Sequence, residues 1–317
     1  MIICCGETVI DMVPVESIAG SICYLPLVGG AIFNTAIGLG RLGIKVGMLS
    51  GVSTDLFGQQ LSDALIASNV VTSYLIRSKR PTTLAFIALI NGQASYTFHD
   101  ENTAGRSITA TDLPTMDKFS TEITALYCGG ISLISEPAAD SYCALVLQHA
   151  AEKVIILDPN IRASFISDEQ RYRSRLKQIF DIADIIKVSD DDLAWLLNPI
   201  DDGTGPLSES EQVYKLRGVS KAMVVVTKGE KGATAYLANG QSVHQKVPKV
   251  TVEDTVGAGD TFNAGFLAKL TERGLMSKSA LEKISIKDLS IALVYAANVA
   301  AVTVSRQGAN PPWLSEI

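Results

Sequence analysis

Residues 254–266 read DTVGAGDTFNAGF. Gly257 and Gly259 stand just before Asp260, and Thr261 to Ala264 continue as a helical pattern. Glycines permit positive φ and let a ligand approach the backbone closely. A helix that begins near Gly259 directs unpaired N–H groups and the positive end of its dipole into the turn. That arrangement suits the charge that builds on a transferring phosphoryl group. Asp260 then stands at the mouth of an anion hole, where its natural task is to accept a proton from an attacking hydroxyl. The same residue could instead simply N-cap the helix, and the segment by itself leaves both readings open.

Working outward, short β-branched runs alternate with longer helical patterns, the signature of a mostly parallel sheet with helices on both faces. Strands are expected at 2–6, 46–52, 125–130, 154–160, 185–189 and 222–229. Helices are expected near 31–42, 55–68, 137–151, 168–180, 210–218, 259–273 and 287–301. Two excursions, 9–28 and 83–99, break the alternation and are expected to form a small β lid. The second carries a hairpin signal at Asn91-Gly92, and DDGTGPLSES at 201–210 reads as a surface loop.

Open α/β sheets bind ligands beyond the carboxyl ends of their strands. The polar residues there become candidates: Asp11; the Gly29-Gly30 pair with Asn34 in the following helix; and Asp158, Asn160 and Arg162 in DPNIR. In KVSDDD, Lys187 suits a phosphate and Asp190 a metal; in VTKGEKGA, Thr227, Gly229 and Gly232 suit phosphate contacts.

Composition removes several classes of function. The 317 residues are 47% hydrophobic, enough for a large core, and the net charge of −6 argues against a nucleic-acid surface. The one basic cluster, RYRSRLK at 171–177, reads as a solvated helix face. Five cysteines without C-x-x-C spacing argue against disulfide scaffolds and zinc sites and fit a reducing compartment. The N-terminus lacks a basic region and is interrupted by Glu7 and Asp11, unlike a signal peptide. The apolar run 291–304 contains Asn298 and is shorter than the ~20 residues that span a bilayer. It reads as a buried helix or helix–strand junction, and the expectation is a soluble, cytoplasmic protein with no membrane partner. A literal G-x-G-x-x-G at Gly38–Gly43 lies inside a helical pattern, with Gly43 placed as a C-terminal cap. A dinucleotide fingerprint must follow a strand and open a helix, so the match is rejected. The P-loop pattern G-x-x-x-x-G-K-[ST] is absent.

The two signatures together resemble the ribokinase-like (PfkB) carbohydrate kinases, and within them bacterial fructokinases. The D-T-x-G-A-G-D signature is complete at Asp254–Asp260, and the N-terminal signature runs from Gly29 to Gly58. GETVIDMVP, YTFHDENTAGR, DPNIRASFI and SRQGANPPW also look like fructokinase segments. The resemblance implies one catalytic domain over 1–317, with a doubly wound, mostly parallel sheet and a β lid from about 9–28 and 83–106. The nucleotide-binding part would be about 185–317, and the lid a possible homodimer contact. It implies transfer of the ATP γ-phosphate to a sugar hydroxymethyl group, with D-fructose first. 2-Keto-3-deoxygluconate, ribose or a nucleoside are alternatives on the same fold, and a non-catalytic sugar sensor is a further one.

Carried onto this chain, the resemblance implies Asp260 as general base, with Gly257, Ala258 and Gly259 as the anion hole. Asp11, Gly29, Gly30, Asn34, Phe98, Arg106 and Arg162 would serve the sugar side. Lys187, Asp190, Thr227, Gly229, Gly232 and Asn298 would serve MgATP, with Asp190 meeting Mg2+ directly or through water. Asp254 and the carbonyls of Val256, Thr303 and Gly308 match positions where relatives hold a monovalent cation, usually K+. The family's N-x-x-E motif is read here at Lys187–Asp190, with a shorter acid in its last position.

Overall fold

The computed structural model describes residues 1–90, 93–114, 122–197 and 207–317. The Asn91-Gly92 turn and residues 201–206 of the expected surface loop lie outside them. The chain opens with β1 (Ile2–Cys5), β2 (Val9–Glu16), β3 (Ile22–Gly29) and α1 (Ala31–Arg41). β4 (Val46–Leu49), β5 (Gly51–Ser53), α2 (Leu56–Ala67), β6 (Ile76–Ser78), β7 (Leu84–Ile90) and β8 (Gln93–His99) follow. Next come β9 (Ala125–Gly129), α3 (Ala138–His149), β10 (Val154–Asp158), α4 (Glu169–Phe180), β11 (Ile185–Ser189) and α5 (Asp190–Leu197). α6 (Glu209–Arg217), β12 (Met223–Thr227), β13 (Ala233–Tyr236) and β14 (Ser242–Gln245) precede α7 (Ala258–Glu272), α8 (Lys278–Leu281) and α9 (Ile286–Val304).

The main sheet has eight strands in the order β14-β13-β12-β11-β10-β9-β1-β4. Pairing is parallel from β4 to β12, and β13 and β14 add antiparallel strands at one edge. β1, β9 and β10 are buried along their whole length, as befits parallel strands covered on both faces. Alternate side chains enter two separate cores. Ile2, Cys4 and Tyr127 meet Phe262 and Leu293 on one face. Ile3, Cys5 and Leu126 meet Tyr142 and Leu176 on the other.

The two excursions form a second, four-stranded sheet in the order β3-β2-β7-β8, with β2 and β7 parallel. It is the lid, and β3 is one edge. Several side chains on that strand are exposed, including Ile22, Tyr24 and Leu25.

α1 stops as the glycine pattern implies. Gly43 has φ 77°, its N–H reaches the carbonyl of Gly40, and the N–H of Ile44 reaches that of Leu39, a Schellman cap. The other two glycines of that match serve packing. A Cβ on Gly38 would lie 2.6 Å from the Cβ of Ala264, and one on Gly40 would lie 2.0 Å from the Ser68 carbonyl oxygen. Gly38 therefore lets α1 lie directly against α7. The apolar run 291–304 is helical throughout, inside α9. By length and composition α9 could cross a membrane, but here it packs on α7, where a Cβ on Gly265 would come within 2.9 Å of Ala296 Cα.

Some expectations need amendment. The 46–52 run divides at Ser50 into β4 and β5, and the sequence patterns missed α5, β13 and β14. RYRSRLK is not merely a solvated face. Arg175 is buried, donates to the Leu133 carbonyl at 2.7 Å, and pairs with Asp140 at 2.7 Å and with Glu136. Arg171 joins the same two acids, and Arg173 stacks over Trp195 at 3.8 Å. Arg173 and Lys177 pair locally with Glu169 and Asp181, but the acids that meet Arg171 and Arg175 lie more than 30 residues upstream, so the role of those two arginines is a tertiary property. All five cysteines are free thiols; only Cys23, on β3, is exposed.

Candidate active site

α7 begins at Gly257, which caps it in the left-handed region with φ 74° and without any side-chain cap. A Cβ there would lie 2.6 Å from that of Ala309, so only glycine allows the turn. Asp260 is consequently the third residue of the helix and not its cap. Its carboxylate turns to α1, where Asn34 Nδ2 donates to Oδ2 at 2.9 Å. Thr35, next on α1, donates to the Asp260 carbonyl at 3.2 Å. Loss of water around the Asp260 carboxyl raises its pKa to about 7, and the nearby Asp158 charge adds to the rise. The Asn34 hydrogen bond and the Lys187 and Arg162 charges oppose it.

Asp260, Asn34, Lys187 and Arg162 line one cavity of about 280 Å³ at the carboxyl ends of the strands, and Asp158 is not in its wall. Its walls include Asp11, Gly30 and Asn34, the 255–260 turn, Lys187 from β11, Asn160 and Arg162 after β10, and Tyr96 and Phe98 from the lid. Gly29 sits behind Asp11: a Cβ there would lie 2.1 Å from Oδ2 of that carboxylate. Asp11 is raised to about 6 by loss of solvent, against the pull of Arg162. Arg162 donates to Asn160 Oδ1 at 2.8 Å and stacks over Tyr96 at 5.7 Å. Phe98 packs on Phe165 at 4.8 Å, so lid and core meet over the cavity.

Lys187 is buried, and its ammonium lies 3.1 Å from Asp158 Oδ2. Burial acts to lower its pKa, but the charges of Asp158, Asp192 and Asp260 outweigh that effect and raise it. A Cβ on Gly259 would be 3.3 Å from Lys187 Nζ, which places the cation beneath the first turn of α7.

Other residues singled out by sequence lie elsewhere. Arg106 pairs with Asp100 at 3.0 Å and donates to the Glu136 carbonyl at 3.2 Å, lining a separate small pocket. Asp190 is exposed at the start of α5, whereas Asp192 is buried and accepts from Ile161 N at 2.9 Å and Ser189 N at 3.0 Å. Thr227 ends β12, and Gly229 and Gly232 bound the turn that follows with φ 49° and 97°. Asn298 is exposed on α9. Asp254 accepts from Val256 N at 2.9 Å and Gly308 N at 2.8 Å, tying the 255–260 turn to the C-terminal segment. The buried Thr303 hydroxyl has no hydrogen-bond partner among the described residues.

Sequence reasoning missed Glu7 and Tyr96. Glu7 is buried, accepts from Ala31 N at 3.0 Å and Ser132 N at 3.4 Å, and thereby fastens the start of α1. An acid inside the apolar run IICCGETVI was the available signal. Tyr96 had none, because its position over Arg162 depends on how the lid folds back.

Residues 1–316 match the pfkB family carbohydrate kinase. The chain belongs to this family. It is 45% identical over 278 residues to a fructokinase of Rhizobium leguminosarum bv. trifolii, covering 88% of this chain and 82% of that one. It is 31% identical over 320 residues to a probable fructokinase-7 of Arabidopsis thaliana, covering 98% and 89% of the two chains. Among solved structures, a fructokinase from Xylella fastidiosa with bound ATP superimposes with a TM-score of 0.88 at 26% identity. That match covers 99% of this chain and 96% of the other.

In this carbohydrate kinase the desolvated Asp260 carboxyl has a thermodynamic signature. Its folded-state pKa is about 7 against an ordinary value of 3.8, so the folded state holds a proton that the unfolded state has released. Its contribution to stability is full below the ordinary value and is lost as pH rises towards 7. Asp260→Asn keeps the shape without the buried charge. Its melting temperature should exceed that of the wild type at pH 8, with the gap narrowing at pH 5. Equal melting temperatures at pH 8 would show that the carboxyl is not held against its charge.

Proposed function

We propose that this carbohydrate kinase is a fructokinase, transferring the γ-phosphate of ATP to the 6-hydroxymethyl oxygen of D-fructose. The observation that carries this reading is the Asp260 carboxyl, raised to about 7 and oriented by Asn34, in a cavity that also holds Asp11. Asp260 takes the proton of the sugar O6 as that oxygen bonds to the γ-phosphorus. The bond from γ-phosphorus to the bridging oxygen breaks, and its electron pair leaves with ADP. A group with pKa near 7 is matched to a proton transfer at neutral pH.

The remaining roles follow from position. The N–H groups at Gly257, Ala258 and Gly259, with Lys187 below them, face the phosphoryl group in transit. Asp11, Gly30 and Asn34 hold sugar hydroxyls with Gly29 as their support, and Phe98, Tyr96 and Arg162 close the pocket from above. Water exclusion by that closure limits wasteful ATP hydrolysis. Arg106 then acts indirectly, by bracing the base of the lid. Thr227, Gly229 and Gly232 border the nucleotide at the end of β12, and Asn298 lies toward its base.

Magnesium is assigned to the nucleotide. No three His, Cys, Asp or Glu side chains gather as a metal site among the described residues. The ion's protein contact is then the exposed Asp190 through water, in keeping with its habit of retaining water and phosphate ligands. When bound it neutralises phosphate charge. The K+ ligands would be Asp254 and the carbonyls of Val256, Thr303 and Gly308, with the buried, unpaired Thr303 hydroxyl in support. Four buried free thiols favour a cytoplasmic setting. The exposed apolar side chains of β3 favour a homodimer through the lid.

One observation keeps a second acceptor in view: Arg162 in the cavity would suit the carboxylate of 2-keto-3-deoxygluconate. The deciding experiment measures ADP release by purified enzyme with fructose, 2-keto-3-deoxygluconate, ribose and a nucleoside. Fructose should give the highest kcat/KM, and Asp260→Asn should lower kcat ~10²-fold or more; sugar binding without phosphoryl transfer would overturn the reading. Potassium should activate the wild type above a sodium control and leave Asp254→Ala unaffected, whereas equal activity in both salts removes the cation assignment. Light scattering should return the mass of two chains for the wild type and of one for Leu25→Glu; a monomeric wild type excludes the lid contact.

A further inference from the structure

We propose that Asp158 is a positioning residue for phosphoryl transfer, fixing the Lys187 ammonium beneath α7 and offsetting its charge at Asp260. The inference rests on reading Asp260 as the base and Lys187 as the phosphate contact.

Asp158 ends β10, is 1% exposed, and is not among the residues that line the cavity. It therefore acts through other groups and not on a substrate. Its Oδ2 receives Lys187 Nζ at 3.1 Å and Asn263 Nδ2 at 2.6 Å, and its Oδ1 receives Asn160 N at 3.1 Å. Asn263 lies on α7 three residues beyond Asp260 and also donates to the Tyr127 hydroxyl at 2.9 Å. One carboxylate thus joins the ends of β10 and β11 to the helix that carries the base. A lysine is a point charge on a flexible stem, and this contact fixes where that charge stands.

Buried ion pairs are weak sources of stability, since desolvation of both charges offsets their attraction. The pair also acts on the charge of Asp260. Lys187 from β11 and Arg162 from beyond β10 both favour the carboxylate anion there. Loss of water does most to oppose them. Asp158 is the opposing charge. Tyr127 from β9 and Tyr96 from the lid also feel the Asp260 charge, while Asn34 from α1 is a neutral donor. Asp11 and Glu7 line the same cavity.

The test uses the full-length enzyme, with MgATP and fructose, as Asp158→Asn, Lys187→Met and the double variant. Asp158→Asn should lower kcat roughly tenfold and move the acid limb of kcat/KM to lower pH by about one unit. In the Lys187→Met background, adding Asp158→Asn should change kcat less than about twofold, because coupled residues do not add. Should Asp158→Asn fail to fold, the comparison of the double variant with Lys187→Met carries the test, since neither charge is then left unpaired in the double. An unmoved acid limb, or losses that multiply in the double variant, would overturn the proposal. Full activity of Lys187→Met with an inactive Asp260→Asn would also overturn it while leaving the base in place. An active Asp260→Asn would instead remove the reading on which it rests.

Discussion

A carboxylate held in poor solvation, in the first turn of a helix at its positive end, is the constraint that organises this site. Asp260 occupies the third position of α7 and not its cap. Gly257 turns the chain through a left-handed conformation against Ala309, so the first N–H groups of the helix stay unclaimed by any side chain. A carboxylate that simply capped them would fill the turn itself. Turned toward Asn34, it leaves the turn open, and in the proposed reaction it takes a proton while N–H groups of the turn receive phosphate.

The rest of the fold serves that geometry. Gly38 allows α1 to lie on α7, which brings Asn34 and Thr35 to Asp260. Glu7, in the wall of the cavity, fastens the start of α1, and Gly29 makes room for the Asp11 carboxylate. The parallel sheet delivers Asp158 and Lys187 from adjacent strands to the same end. The lid adds Tyr96 and Phe98 from above. Binding and chemistry thus meet where strand ends, two helices and a separate small sheet converge.

Much of this was legible in sequence because it is written in local residue types. Glycine pairs before helices, acids and amides at strand ends, and β-branched runs announced the sheet, Asp260 and Asn34. The rejected G-x-G-x-x-G shows the same logic, since Gly43 ends a helix and Gly38 and Gly40 permit close packing. Pairings across long separations were not legible. Arg106 is diverted to Asp100 and Glu136, and Arg171 and Arg175 find their counter-charges on another helix and a preceding loop. Likewise, only the turn from β11 into α5 reveals that Asp192, and not Asp190, is the buried acid.

The central claim is that Asp260 must lose its proton before it can act, and that its surroundings set that event near neutrality. The most direct measurement is the pH dependence of kcat/KM for fructose phosphorylation by the wild-type enzyme under saturating MgATP. The account predicts a rise of about tenfold per pH unit at low pH, bending to a plateau near the value of about 7 given by the Asp260 environment. A plateau that continues unbroken down to the ordinary carboxylate range would contradict it.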